Sequence, residues 1–300
     1  MLGLDFSFIC GMLWGMRIVS TKRELRAALA ASSGRRVLVP TMGALHAGHA
    51  SLLCQARELA GSGGIVVASV FLNPTQFDNA GDLATYPSSP EQDVSLCEEC
   101  GVDILFMPDA GEMYRSDRSI TVEESQLSQV LCGASRPGHF AGVCLVVSKL
   151  FNLVQPSDAI FGKKDYQQLA VLRRLVRDLD FPISLHGAEI VREKDGLAIS
   201  SRNLRLSPEH RVAAPAIYAG LLSAKQAFVS GSSPAEVCAM LRSALEPIPG
   251  VRVDYVEMVD AESLSPVGDS LSPRQLVLLA VAAWFGDVRL IDNMEMVSPS

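Results

Sequence analysis

The chain has 300 residues, enough for one large domain or two small ones with a real core. A hydrophobic content of 48% and a charged content of 20% exclude a disordered chain. The net charge of −7 argues against a generic nucleic-acid binder, but residues 133–205 hold eleven Lys and Arg against seven Asp and Glu, a local excess that suits a small anionic ligand.

The opening MLGLDFSFICGMLWG (1–15) is apolar, lacks a basic leader and carries Asp5, so it does not read as a signal peptide. It is treated as an extension, and Met16 is expected to begin the functional chain. From there strand and helix signals alternate. Thr21-Lys22-Arg23-Glu24 is a capping box that opens a helix to about Ala31. Arg35–Pro40 reads as a strand, His49–Ala60 as a helix and Gly64–Leu72 as a buried strand rich in β-branched residues. A helix over about Glu91–Cys100 and a strand over Val102–Met107 follow. Phe140–Gln155 reads as an apolar helix, Asp158–Gly162 as a strand, Tyr166–Asp180 as a helix and Ile183–Arg192 as a strand. Strands separated by helices of this length imply βαβ units, and so an α/β fold with a doubly wound parallel sheet. After Arg202 the pattern changes. Ser207-Pro208 starts a helix to about Phe228, Ser233-Pro234-Ala235-Glu236 caps a second, and strand-like runs occupy Val251–Val259, Leu276–Trp284 and Val288–Ile291. This predicts residues 16–202 as a ligand-binding domain and 203–300 as a smaller α+β lid.

No run of eighteen apolar residues occurs, so no membrane span is expected. Seven scattered cysteines without disulfide-framework spacing favour a reduced, cytoplasmic compartment. Cys97-Glu98-Glu99-Cys100 has no second pair, and reads as two thiols on one helix rather than a metal or redox motif.

Five segments carry chemistry. Pro40–His49 (PTMGALHAGH) follows a strand and opens a helix, where backbone N–H groups and the helix dipole favour an anion. His46 and His49, three residues apart, can point the same way. Asn73 and Gln76, in FLNPTQF, sit after a buried strand where a parallel sheet reads polar ligands, although Asn-Pro is also a common turn. Arg136 in SRPGHF could grip a carboxylate or phosphate, or be an exposed loop residue. Gly162-Lys163-Lys164-Asp165 again joins a strand to a helix, and its lysines suit phosphate oxygens or a solvated helix start. Ser200-Ser201-Arg202 on a tight loop suits a polyphosphate whose charge is moving.

Taken in order, PTMGALHAGH, FLNPTQF, SRPGHFAGV, FGKKDYQQL and DGLAISSRN resemble the pantothenate synthetase (pantoate–β-alanine ligase) family of the H-x-G-H nucleotidyltransferase superfamily. The similarity runs from about Met16 to about Asn293 and implies a Rossmann-like fold. It further implies ATP-dependent condensation of (R)-pantoate with β-alanine through a pantoyl adenylate, releasing AMP and pyrophosphate. By matching position, Met42, Gly43, Ala44, Leu45, His46, Ala47, Gly48 and His49 would hold ATP, with His49 where the family has its proton donor. Gly162, Lys163, Lys164, Asp165, Val191, Ile199, Ser200, Ser201 and Arg202 would complete the nucleotide site, Lys164 and Arg202 acting on developing charge. Gln76 and Gln168 would hold pantoate, with Asn73 and Arg136 beside them. Mg²⁺ would travel with ATP, no protein metal ligand is assigned, and a homodimer is expected. Two positions depart from the family pattern: Lys163 replaces a usual Glu, and Ser88 in Tyr86-Pro87-Ser88 replaces a usual Arg. The rival readings are a superfamily relative that acts on a phosphorylated acceptor, and a non-catalytic nucleotide sensor.

Overall fold

Six short strands pair into one parallel sheet: β1 (Arg17–Val19), β2 (Arg36–Thr41), β3 (Ile65–Val70), β4 (Ile104–Phe106), β5 (Asp158–Gly162) and β6 (Ser184–Ala188). In the computed structural model, residues 15–299 are described except 33, 78–80, 82, 84–85 and 269–270, so nearly all of the N-terminal extension lies outside the described residues. The strand order is β1-β4-β3-β2-β5-β6. Alternate residues of the central strands face two separate cores, which is why these strands read as continuous apolar runs. Leu38, Val67 and Phe106 pack with α1 (Lys22–Ala30), α4 (His139–Val154) and α5 (Tyr166–Asp178) on one face. Val37, Val39, Val66 and Leu105 pack with α2 (Ala47–Ala60) and α3 (Pro90–Glu99) on the other. The sheet is doubly wound, as expected. From β2 the chain winds one way through β3 to β4, and β5 then pairs on the other side of β2. The carboxyl ends of β2 and β5 therefore flank the topological switch point, where such sheets bind ligands.

The expected elements form within a few residues of their predicted bounds, and the capping boxes at Thr21 and Ser233 are both made. The three-residue edge strand β1 was not anticipated; it pairs only with β4, and its Ile18 is exposed. The single helix expected from Pro208 divides into α6 (Pro208–Ala213) and α7 (Ala216–Val229). Pro215 lies at the break, where it has no N–H to continue the ladder. With α8 (Pro234–Leu245), these helices cover the antiparallel sheet β7 (Val251–Asp260), β8 (Leu276–Phe285) and β9 (Val288–Val297). β9 extends well past Ile291 because every residue of it pairs with β8, from Phe285↔Val288 to Leu276↔Val297. β8 is buried on both faces: Val277, Leu279 and Val281 meet α7 and α8, whereas Leu278 and Ala280 join the core of the parallel sheet around α5. Pro208–Val229 contains a stretch of mean hydropathy 1.3, long and apolar enough to cross a membrane by composition, yet Ile217, Leu221, Ala224 and Phe228 spend that apolarity on the second core.

Candidate active site

The loop after β2 turns through two left-handed residues, Gly43 (φ +88°) and Ala44 (φ +51°). A single buried carboxylate holds this turn: Asp93 of α3 accepts the Ala44 N–H at 3.0 Å and the Leu45 N–H at 2.7 Å. Asp93 is 1% exposed, and a Cβ on Gly43 would come within 3.1 Å of its Oδ2. The sequence reading missed Asp93, because nothing in its own segment announces a role 49 residues away.

The anchored loop delivers His46 as the N-cap of α2. His46 Nδ1 accepts the Gly48 N–H at 3.2 Å, and His49 Nδ1 accepts the His46 N–H at 3.3 Å, a capping box built from two imidazoles. A neutral ring whose Nδ1 accepts carries its proton on Nε2, so each histidine offers one N–H donor from that atom. The rings lie 4.1 Å apart between centroids. Burial lowers the His49 pKa to about 3, assisted by the neighbouring His46 and Lys164 and opposed by Asp165. Burial and Lys164 lower that of His46 as well. Both rings are therefore neutral at pH 7, so His49 is a hydrogen-bond donor rather than a charged acid.

The loop after β3 is built around Asn73, which is 1% exposed. Its Oδ1 accepts Tyr114 Oη–H at 2.8 Å and Thr75 Oγ1–H at 2.9 Å, and its Nδ2 donates to Gln76 Oε1 at 3.0 Å and the Gly142 carbonyl at 3.1 Å. Asn73 thus lines the crevice but directs its amide to the protein, orienting Gln76. A Cβ on Gly142 would lie 2.3 Å from the Thr75 carbonyl oxygen, so glycine lets α4 approach this loop. His139, at the start of α4, has its Nδ1 2.8 Å from the Gln76 carbonyl. That contact places its proton on Nδ1 and leaves Nε2 to accept from Arg136 Nη1 at 3.2 Å. His139 was overlooked beside Arg136, and it orients that guanidinium.

After β5, Gly162 leads into the 3₁₀ turn Lys163–Asp165 and then α5. The turn is gripped from the second sheet: Asn293 of β9 donates to the carbonyls of Lys163 and Lys164 at 2.9 and 3.0 Å. Lys163 departs from expectation, because its ammonium is neutralised by Glu189 at 2.6 Å and Glu295 at 2.7 Å. The charge this residue adds to the family pattern is spent on tying β9 to the turn. Asp165 opens to the crevice; its desolvation raises its pKa, but the nearby Lys164, Arg202, His139 and Arg136 hold it below the usual carboxylate value. Farther on, residues 191–199 fold back on themselves through the Ile199 N–H to Val191 carbonyl bond at 3.0 Å. Arg192 fixes this hairpin, forking onto Asp292 at 2.6 and 2.9 Å and stacking 3.8 Å above Tyr218. Ser200 then caps the turn Ser201–Arg205 by accepting the Arg202 N–H.

These loops enclose one crevice of about 230 Å³. Of the residues singled out by sequence, Met42, His46, Gly48, His49, Asn73, Gln76, Arg136, Gly162, Lys164, Asp165, Gln168, Val191, Ile199, Ser200, Ser201 and Arg202 line it. Gly43, Ala44, Leu45, Ala47 and Lys163 do not. Gly43 and Ala44 are buried behind its wall, the Ala44 and Leu45 amides are committed to Asp93, Ala47 is exposed on the helix, and Lys163 faces its two glutamates. Gln167, next to Gln168, is structural: it bonds the Leu127 and Val130 carbonyls and the Cys132 N–H. The crevice shares Arg136, Lys164, Asp165, Gln168 and Arg202 with a wider gap of about 660 Å³ whose far wall carries Arg252, Trp284 and Arg289 of the second sheet. Among the described residues, no group of three or more His, Cys, Asp or Glu is placed to hold a metal ion.

A pantoate-beta-alanine ligase family model matches residues 17–295. The pantothenate synthetase of Akkermansia muciniphila is 58% identical over 284 residues, which span 94% of this chain and 100% of that one. The crystal structure of pantothenate synthetase from Thermus thermophilus superposes with a TM-score of 0.86 at 47% identity, covering 93% of this chain and 99% of that one. A pantoate-beta-alanine ligase from Francisella tularensis, complexed with beta-gamma ATP and beta-alanine, gives a TM-score of 0.75 at 30% identity over 93% of this chain and 97% of its own. In sequence and in fold, over nearly its whole length, the chain belongs to the pantoate–β-alanine ligase family.

Proposed function

We propose that this ligase joins pantoate to β-alanine in two half-reactions within the crevice between β2 and β5. The pantoate carboxylate attacks the α-phosphorus of ATP to give pantoyl adenylate and pyrophosphate, and the amine of β-alanine then displaces AMP. The observation that carries this reading is the division of one crevice into two chemistries. His46, His49, Lys164 and Arg202 offer N–H donors and positive charge, whereas Gln76 and Gln168 offer neutral amides. Amides can hold pantoate's hydroxyls and carboxylate without neutralising the attacking oxygen. Cationic and N–H groups stabilise charge as it builds on the leaving pyrophosphate, and losing one such preorganised donor typically costs about 10²–10³ in rate.

A Mg²⁺ would enter on the nucleotide's phosphates; Asp165 is the carboxylate at the crevice that would face it, while Lys164 and Arg202 would meet the phosphate oxygens themselves. Bound there, the ion would neutralise phosphate charge. We take the second sheet and its helices, after residue 202, to act as the lid, on the support of the wide gap between Lys164 and Arg289. A homodimer and a cytoplasmic site of action complete the reading, the latter supported by six free cysteines among the described residues.

The test is isotope exchange. Labelled pyrophosphate should enter ATP when pantoate is present and β-alanine absent, and Gln168→Ala should weaken exchange through pantoate with little change in ATP affinity. Exchange that requires β-alanine, or release of ADP and phosphate, would eliminate the adenylate route. No turnover of pantoate and β-alanine at all would favour a non-catalytic sensor.

A further inference from the structure

Within the Cys97-x-x-Cys100 motif, Cys100 makes its sulfur contact with a third cysteine, Cys54 of α2. Cys97 is fully buried in α3, whereas Cys100, the C-cap of that helix, turns its sulfur to α2, 3.9 Å from Cys54 Sγ. Cys54 is solvent-exposed and Cys100 half-buried. The two sulfurs are held at this junction by an independent clamp. Arg57, one turn beyond Cys54, donates to the Gly101 carbonyl at 3.4 Å and to Asp103 at 2.9 Å, and its other nitrogen reaches the carbonyls of Gly61 and Gly64, each at 2.7 Å. Gly101, at φ +74°, leaves room for the Arg57 side chain, whose Cδ would lie 3.2 Å from a Cβ there. The end of α3 is thus pinned against the middle of α2, with the two sulfurs 3.9 Å apart against a disulfide bond length of about 2.05 Å.

We propose that Cys54 and Cys100 form a reversible oxidation site, which closes to an intramolecular disulfide by exchange with a small-molecule disulfide. The Cys54 thiolate attacks one sulfur of the small disulfide and releases one small thiol, leaving a mixed disulfide on Cys54. Cys100 then loses its proton to solvent and attacks the Cys54 sulfur, expelling the second small thiol. Both cysteines are oxidised, and the small disulfide is reduced to two thiols. Exposure makes Cys54 the first attacker. Burial and the neighbouring Cys54 push the Cys100 thiol up to about 12, which suits it to the resolving step, where the adjacent target sulfur offsets its low thiolate fraction. The bond would join α2, whose N-cap is His46, to α3, which carries Asp93, closing a loop in the unfolded chain that should raise stability.

The experiment treats the full chain with oxidised glutathione and then with dithiothreitol. Peptide mapping should link the Cys54 and Cys100 peptides with the loss of two hydrogens in mass. Tm should rise by several degrees and return on reduction. Cys54→Ser and Cys100→Ser should each abolish both effects, and Cys97→Ala should keep both. A persistent glutathione adduct on Cys54, a disulfide mapped to Cys97 and Cys100, or an unchanged Tm would overturn the proposal. None of these readouts depends on the ligase reaction, so failure here and failure of the adenylate mechanism are distinguishable.

Discussion

Asp93→Ala probes the link between a buried carboxylate and the histidine loop. The substitution removes the acceptor of two backbone N–H groups, bonded at 3.0 and 2.7 Å, at a position 1% exposed. A buried donor left without a partner costs about 1–3 kcal/mol, so two cost roughly 2–6 kcal/mol, with the lower end applying where water enters the vacated space. Ala44 adds to the strain, because a non-glycine residue in the left-handed region is disfavoured by roughly 1–2 kcal/mol and persists only while its surroundings enforce it. Freed from Asp93, the turn should relax and carry His46 and His49 off the crevice, and a misplacement of about 1 Å can cost on the order of 10²-fold in rate. The expected result is a Tm lower by roughly 5–10 °C, together with a fall of about 10²-fold in pyrophosphate exchange. Asp93→Asn keeps one acceptor and should fall between. The assay pairs thermal unfolding with exchange kinetics at saturating ATP and pantoate. A variant with unaltered Tm would show that the carboxylate does not hold the turn. A destabilised variant with full exchange would show that the turn does not position the chemistry.

Two further perturbations follow from the site. The folded-state pKa of His49 lies near 3, below the ordinary value of about 6.5; the unfolded chain therefore binds more protons between these values, and stability should decline as pH falls from about 6.5 towards 3. His49→Gln should flatten this slope in Tm measured against pH while cutting turnover, and an unchanged slope would deny the buried, neutral imidazole. Asn293→Ala deletes both clamps on the Lys163–Lys164 turn, at 2.9 and 3.0 Å, while leaving the β8–β9 backbone ladder intact. At about 0.5–1.5 kcal/mol net per bond, the two bonds together bound the rise in KM for ATP at roughly 5- to 150-fold, less whatever part appears as a loss of Tm; an unaltered KM would mean that β9 does not position Lys164.

Local chemistry made much of this protein legible without a structure. The β-branched run at Ile65–Val70, the short apolar stretch within Asp158–Gly162, and the caps at Thr21 and Ser233 are short-range signals, because apolar periodicity and capping act within one or two turns of chain. Much of the crevice was legible for the same reason: four of the five motifs sit at strand ends, and in a doubly wound sheet those ends converge at the switch point, whereas Arg136 arrives from the start of α4. What required tertiary structure was every interaction spanning a long stretch of sequence. Asp93 holds a turn 49 residues earlier, and Asn293 holds one 130 residues earlier. His139 reaches back 63 residues to Gln76, and Cys100 meets Cys54 rather than Cys97. β9 outran its predicted length because a polar-looking segment becomes a strand once β8 supplies the partner for its backbone. Residue types and spacing determine which segments can act chemically; whether a buried carboxylate or amide holds those segments in place depends on which distant backbone N–H or carbonyl the folded chain brings within about 3 Å.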